Sequence, residues 1–227
     1  MSGAEAGHRL ILRATTASAR LRVIAEDRAD ITVNGDPEAP EGSTVTVSTS
    51  SRSLEVRVPA GTELVLGTAS GRVEVRGPVG PAKVATESGR VGVEAAERID
   101  IRTTSGRVEV GTCRGTCRIQ SVSGRVTVGV AGGLDIHTTS GRVSVDDARG
   151  EIRIRTTSGR VSVGLAGAAE VDAETVSGRI NVLVDGGLGA ALVEGTEGRR
   201  VDFDARPGDD CVIRCRAVSG RIQVRER

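Results

Sequence analysis

The residues of this sequence with the clearest capacity for chemistry are the arginines that follow a repeated Ser-Gly pair. The tripeptide Ser-Gly-Arg occurs eight times, and its arginines are Arg72, Arg90, Arg107, Arg125, Arg142, Arg160, Arg179 and Arg221. A guanidinium group binds a carboxylate or a phosphate through two parallel hydrogen bonds, so a row of arginines suits an anion with repeated charges. The series therefore predicts an anion-binding stripe, provided that the fold brings the arginines together.

The residue two positions after each arginine lies on the same face of the strand, so a carboxylate there can pair with the arginine. In chain order these residues are Glu74, Gly92, Glu109, Thr127, Ser144, Ser162, Asn181 and Gln223. This column offers no carboxylate in the four successive repeats of Arg125, Arg142, Arg160 and Arg179, which form the predicted stripe. Like charges that face each other on neighbouring strands repel, so something should offset the row. Two interpretations stay open: solvation, guanidinium stacking and acids from a facing corner, or binding of phosphate-bearing polymers or lipid headgroups.

The four cysteines form two pairs, Cys113-x3-Cys117 and Cys211-x3-Cys215. Four thiolates can hold zinc tetrahedrally, but three of these cysteines fall among isoleucines and valines at inward-facing positions. The two pairs are also about five repeats apart, roughly 25 Å at the spacing of stacked strands. We therefore expect buried, small hydrophobic side chains and no metal site, with a local Cys113–Cys117 disulfide as the alternative.

Groups that could carry catalysis are scattered. The two histidines are His8, near the start, and His137, at an outward position, and no repeated serine has a histidine nearby. No phosphate-binding loop, dinucleotide-binding motif or metal-binding helix motif occurs. The sequence thus predicts no catalytic residue, no cofactor and no enzymatic activity, and an active site assembled across repeats is the less favoured alternative.

The elements that must position the arginines are read from the repeat itself. The serines of the motif follow one another at intervals of 18, 17, 18, 17, 18, 19 and 42 residues. Apolar residues stand three and five positions after each serine and four and six positions before it, the alternation that is typical of half-buried strands. A polar column lies two positions before the serine on the same inward face: Thr86, Thr103, Ser121, Thr138, Thr156 and Thr175.

The inward threonine and the next inward valine are five residues apart, as at Thr103 and Val108. A continuous strand places only even separations on one face. The chain must therefore bend between them, and the Ser-Gly pair lies at that point. Glycine tolerates the backbone conformations that such a corner needs, so Ser-Gly is predicted to turn a corner and arginine to begin the next face.

A column of alternating charge chooses between two all-β architectures. Five positions before the serine stand Lys83, Asp100, Arg118, Asp135, Arg153, Asp172 and, after the long interval, Arg214. In a β-solenoid these residues would stack about 4.8 Å apart, where opposite charges attract; in an antiparallel meander they would lie about 10 Å apart. The sequence therefore predicts a single-stranded β-solenoid (β-helix) with about twelve coils of 17–18 residues and a right-handed turn.

We expect one domain over residues 1–227, with irregular coils or a cap at 1–60, regular repeats at 61–182, and a degenerate and a last coil at 183–227. Asn34-Gly35 is predicted to form an early coil corner, and "VEGTEGRRVDF" to fill the gap between the Ser177 and Ser219 repeats. The loop at 36–42 could cap the first coil, and the charged end "RIQVRER" could blunt the last strand edge. A monomer or small oligomer is predicted, and end-to-end assembly is the alternative.

The composition limits partner and compartment. The net charge is +1, and the chain has no Trp, no Tyr and one Phe, which argues against base stacking and specific nucleic-acid binding. There is no apolar run of about 18 residues and no recognisable signal peptide. We expect no transmembrane segment and a cytoplasmic location, with a removed leader or association with the cell envelope as alternatives.

The segment "LEVRVPAGTELVLGTASGRVEV", followed by serial T-x-SGRV-x-V repeats, resembles the bacterial β-strand-repeat family of adhesin-like proteins, most strongly over residues 54–182. The resemblance implies the repeated β fold, association of many members with the envelope, and no catalytic residues. The favoured hypothesis is a non-enzymatic scaffold that binds a protein or an anionic polymer through a flat face. The alternative is a self-assembling cytoskeletal filament.

Overall fold

The structure is a computed structural model that describes residues 10–38, 44–49, 53–194 and 201–227. Its strands are β1 (Ile11–Thr16), β2 (Arg20–Glu26), β3 (Ile31–Val33), β4 (Asp36–Glu38), β5 (Thr44–Thr49), β6 (Ser53–Pro59), β7 (Glu63–Thr68), β8 (Arg72–Val184), β9 (Ala190–Glu194), β10 (Val201–Asp204), β11 (Cys211–Ala217) and β12 (Arg221–Glu226). The described residues contain no helix, so none is available to cross a membrane. The all-β prediction is confirmed.

Equivalent residues of successive repeats lie side by side in parallel strands. Val65 pairs with Lys83 and Thr68 pairs with Thr86, each one repeat further along the chain. β8 runs on as extended chain through most of the repeats, and its last coil pairs in parallel with β11 and β12. An antiparallel meander would pair neighbouring repeats in opposite directions, so the structure agrees with the solenoid-like arrangement.

The core is filled by aliphatic side chains and cysteine from the inward columns. Thr103 and Val108 are both buried, at 6% and 1% exposure, and the three residues Ser105, Gly106 and Arg107 between them are half-buried. The bend that parity requires therefore lies at Ser-Gly. The single aromatic residue, Phe203, packs against the edge of the core and is only partly buried.

Glycine at each corner is required by a close approach of backbones. A Cβ atom on Gly141 would lie 2.4 Å from the carbonyl oxygen of Gly124, in the coil beneath, and 3.0 Å from its nitrogen. A Cβ atom on Gly159 would lie 2.6 Å from the carbonyl oxygen of Gly141. Any side chain at these positions would push neighbouring coils apart, so the glycine column sets the spacing of the corner.

The order of the coils departs from chain order at the N-terminal end. β1 pairs with β5 on one side and with β7 on the other, and β2 lies between β6 and β8. The segment of β5 and β6, second along the chain, is therefore stacked outside the first segment. Chain order would have placed β1 and β2 outermost.

A similar exchange occurs at the C-terminal end. β12 lies between β8 and β10, and β11 lies between β8 and β9. The Ser219 repeat thus stacks directly on the Ser177 repeat, and the degenerate segment lies outside both. The predicted degenerate turn in "VEGTEGRRVDF" falls on residues 195–200, which lie outside the described residues. Because β12 is paired on both sides, the prediction that "RIQVRER" blunts the last strand edge was wrong.

The outer edge of β6 is covered by a hairpin. Asn34 and Gly35 have φ angles of 51° and 96°, the left-handed pair that a two-residue hairpin needs, and they join β3 to β4. β3 then runs antiparallel along β6, with Thr32 opposite Arg57. Asn34-Gly35 is therefore a hairpin turn and not a coil corner. The short, exposed β4 carries Pro37 between two acids, which blunts this edge.

Candidate functional site

Five arginines form what we call the arginine stripe: Arg125, Arg142, Arg160, Arg179 and Arg221. All five are exposed and line a groove of about 1280 Å³. The rest of its lining is Gly124, Gly141, Gly159, Gly178, Val218, Ser219 and Gly220. The stripe extends the predicted set by Arg221, which the parallel register places beside Arg179.

The corner positions each arginine in the same way. The glycine before it touches the glycine of the coil beneath, and the valine or isoleucine after it is buried in the core. The arginine between them must therefore point outward at the start of the next strand. Since this local geometry is repeated, the guanidinium groups project in one row over a floor of glycine backbone.

Two of the repeat arginines outside the stripe are paired with a carboxylate of their own strand, whereas among the described residues those of the stripe are not. Arg72 lies 3.6 Å from Glu74, and Arg107 lies 3.9 Å from Glu109. Within the described part of the chain, none of the stripe arginines has a carboxylate within ion-pair distance. Their neighbours two positions on are uncharged, as the sequence indicates.

The alternating charge column stacks as an outward ladder, with Asp172 opposite Arg214 in register. Its clearest contact joins neighbouring coils, where Arg118 Nε donates to Asp135 Oδ2 at 3.0 Å. Other members pair elsewhere: Arg153 contacts Glu151, and Arg214 contacts Glu170. Some arginines of the ladder therefore pair with glutamates from other columns and not with the aspartates that the alternating charge predicts. The remaining members, Lys83 and Asp100, occupy the same column.

A second groove runs along the inward threonine column on the other side of the corner and has a volume of about 1610 Å³. Some of its hydroxyls are bonded, as where Thr138 Oγ1 donates to the carbonyl oxygen of Ser140 at 3.3 Å. Three buried hydroxyl oxygens have no hydrogen-bond partner within the described structure: those of Ser121, Thr156 and Thr175. The charged residues of its wall are of both signs, namely Glu87, Arg102, Arg155, Glu174 and Arg216, whereas the arginine stripe is uniformly positive.

Between the two grooves lies a feature that sequence reasoning missed. We call it the valine ridge: Val122, Val176 and Val218, which are 51%, 49% and 81% exposed. Each stands directly before a Ser-Gly pair, in "SVSG", "TVSG" and "AVSG", where most other repeats have threonine. Val218 lines both grooves. The sequence did contain a signal for the ridge: a β-branched apolar residue at a position that the alternation of the strand directs outward.

All four cysteines are free and buried. Contact with Cys113 and burial raise the pKa of the Cys117 thiol, and burial raises the pKa of Cys215 to about 12. Raised pKa values keep the thiols of Cys117 and Cys215 protonated and poorly reactive. Among the described residues, no group of three or more His, Cys, Asp or Glu side chains is arranged to hold a metal ion.

In comparison with known families, residues 12–225 match the family described as Toastrack DUF4097. Neither the curated proteins nor the solved structures contain a match to the chain. The matched region includes both exchanged ends, the arginine stripe and the valine ridge. Because the family model spans nearly the whole sequence, the chain belongs to the Toastrack DUF4097 family.

Proposed function

We propose that this protein is a non-enzymatic scaffold that holds a polyanionic partner, an acidic protein or an anionic polymer, along the arginine stripe. The observation that carries the proposal is the row of five exposed arginines, none paired to a carboxylate of the described residues, above a groove with a glycine floor. A groove of this kind offers side-chain and backbone N–H groups to an extended anion.

The electrostatic cost of the row supports a role in binding. Two unit charges about 5 Å apart repel by about 0.8 kcal/mol in water, and salt screens exposed charges further. Elsewhere in the repeat this repulsion is reduced, because Glu74 and Glu109 neutralise Arg72 and Arg107 within their own strands. The stripe has no such carboxylates among the described residues, and a bound anion with regularly repeated charges would neutralise it instead.

In this proposal, the chain is one right-handed β-solenoid of about twelve coils. At about 4.8 Å per coil, the five arginines then span roughly 19 Å along a straight line. A linear polymer or an extended acidic segment matches this shape better than a compact small molecule. The uniform spacing also favours partners whose charges repeat.

The test compares two triple variants that remove the same charge. Arg125→Gln/Arg142→Gln/Arg160→Gln removes three of the five charges of the stripe, and Arg98→Gln/Arg114→Gln/Arg149→Gln removes three exposed arginines that lie outside it. Binding of fluorescent heparin and of long-chain inorganic polyphosphate is measured by anisotropy between 50 and 200 mM salt, a range chosen because counterion release is large there.

The stripe variant should lose most of its affinity and show a shallower dependence on salt, by about one unit of slope per lost contact. The control should behave like the parent protein. Equal binding by the stripe variant and the parent would overturn the proposal.

A further inference from the structure

We infer that the valine ridge and the arginine stripe together dock this protein on the surface of an anionic lipid bilayer. The inference rests on the proposed function, because the stripe supplies the charge, and it names the source of the anions. It adds a contact that the stripe alone does not explain, the insertion of valine side chains beneath the headgroups.

Exposed apolar side chains are concentrated at one edge of the protein. The described residues contain four large, exposed hydrophobic side chains, and three of them form the valine ridge; the fourth, Val130, lies elsewhere. In the ridge column, the positions between Val122 and Val176 are held by Thr139 and Thr157. The ridge is thus a row of β-branched side chains along the same edge as the stripe.

Apolar and basic side chains adjoin each other at this edge. Val218 lines both grooves, so the ridge stands between them, and Arg221 follows it by three residues at the same corner. Apolar side chains on the crest and cations beside it are the arrangement with which proteins bind a membrane interface. The apolar groups enter the acyl boundary while the cations remain at the headgroups.

The regularity of the edge distinguishes between partners. An arginine at every coil of the stripe suits a ligand with repeated charges, whereas a folded protein partner presents an irregular surface and is normally bound through aromatic anchors; this chain has no Trp and no Tyr. A soluble polyanion repeats its charge but gains nothing from exposed valines. An anionic bilayer offers both a lattice of charged headgroups and an apolar layer beneath it.

The experiment is flotation of the full chain with vesicles of phosphatidylglycerol and phosphatidylcholine, and with vesicles of phosphatidylcholine alone. The ridge variant is Val122→Ser/Val176→Ser/Val218→Ser, and its control is Val130→Ser. All four positions are well exposed, so the variants should keep the parent fold, which circular dichroism and melting curves verify.

We expect binding to the anionic vesicles only. The ridge variant should bind about tenfold more weakly, since it loses burial of apolar area, and Val130→Ser should bind like the parent. Arg125→Gln/Arg142→Gln/Arg160→Gln should bind about a hundredfold more weakly, from the loss of three basic residues near an anionic surface.

The other outcomes separate this inference from the proposed function. If the ridge variant binds anionic vesicles as tightly as the parent, the valines do not insert and the inference fails. If the parent binds polyphosphate or heparin but no vesicles, the inference fails and the proposed function stands. If it binds neither vesicles nor soluble polyanions, both fail.

Discussion

Substitution of Gly141 by alanine tests the corner on which the arginine stripe depends. The new Cβ atom would lie 2.4 Å from the carbonyl oxygen and 3.0 Å from the nitrogen of Gly124, and Gly141 has a φ of 145° that side chains disfavour. Both contacts are to backbone, so the coils must separate. Overpacking costs about 1–3 kcal/mol and backbone strain a similar amount, which predicts a loss of about 2–4 kcal/mol.

The matched control is Gly92→Ala, in the same long strand. A Cβ atom there would approach nothing closer than the carbonyl oxygen of Val73 at 4.0 Å, so the variant should be neutral or more stable by about 0.5–1 kcal/mol. Thermal melting followed by circular dichroism should show Gly141→Ala lowered by on the order of 5–15 °C. If the two variants melt alike, the glycine column does not set the coil spacing and the derivation of the corner is wrong.

Three further expectations follow from the core and the ends. Thr156 has a buried hydroxyl without a partner in the described structure, so Thr156→Val should raise the free energy of unfolding by about 1 kcal/mol. Thr138→Val, which removes a bond to a carbonyl, should not, and urea unfolding compares them. Burial raises the pKa of the Cys215 thiol from 9.0 to about 12 in the folded protein. The contribution of this thiol to stability is therefore complete below about pH 9 and is lost as the pH rises towards 12. Cys215→Ala should make the melting temperature depend less on pH in that range. Since a hairpin covers the outer edge of β6, sedimentation velocity should give one slow boundary at all micromolar concentrations, whereas a fast boundary that grows with concentration would favour the filament alternative.

The inward faces could be predicted because burial imposes a strict period on a strand. The odd separation of Thr103 and Val108 required a bend whichever sheet the strand joined, and both residues are buried. The outward direction of the arginines follows from the same parity. Both inferences use only the local geometry of a strand. They hold regardless of the order in which the coils are stacked.

The order of the end coils could not be predicted, because every coil presents the same columns to its neighbours. β2 fits between β6 and β8 as well as it would fit at the end, since Leu21 meets Leu54 on one side and Val73 on the other. The longer connections at each end determine the stacking order, but the length of a connection does not indicate which coil the following strand will pair with. The valine ridge was missed for a different reason: one outward valine is unremarkable, and only stacking places three along one edge.

The exchange at the C-terminal end also determines the shape of the candidate site. After β8 the chain passes over one level to form β9 and β10, and then returns to fill that level with β11 and β12. In chain order, the degenerate segment would have separated Arg179 from Arg221, and Val176 from Val218, by one further coil. The exchange instead brings Arg221 beside Arg179 in register, and the threonine of the Ser177 repeat, Thr175, beside Ala217, the residue before Val218. The arginine stripe is thereby continuous from Arg125 to Arg221, and Val218, the most exposed residue of the valine ridge, stands at its Arg221 end.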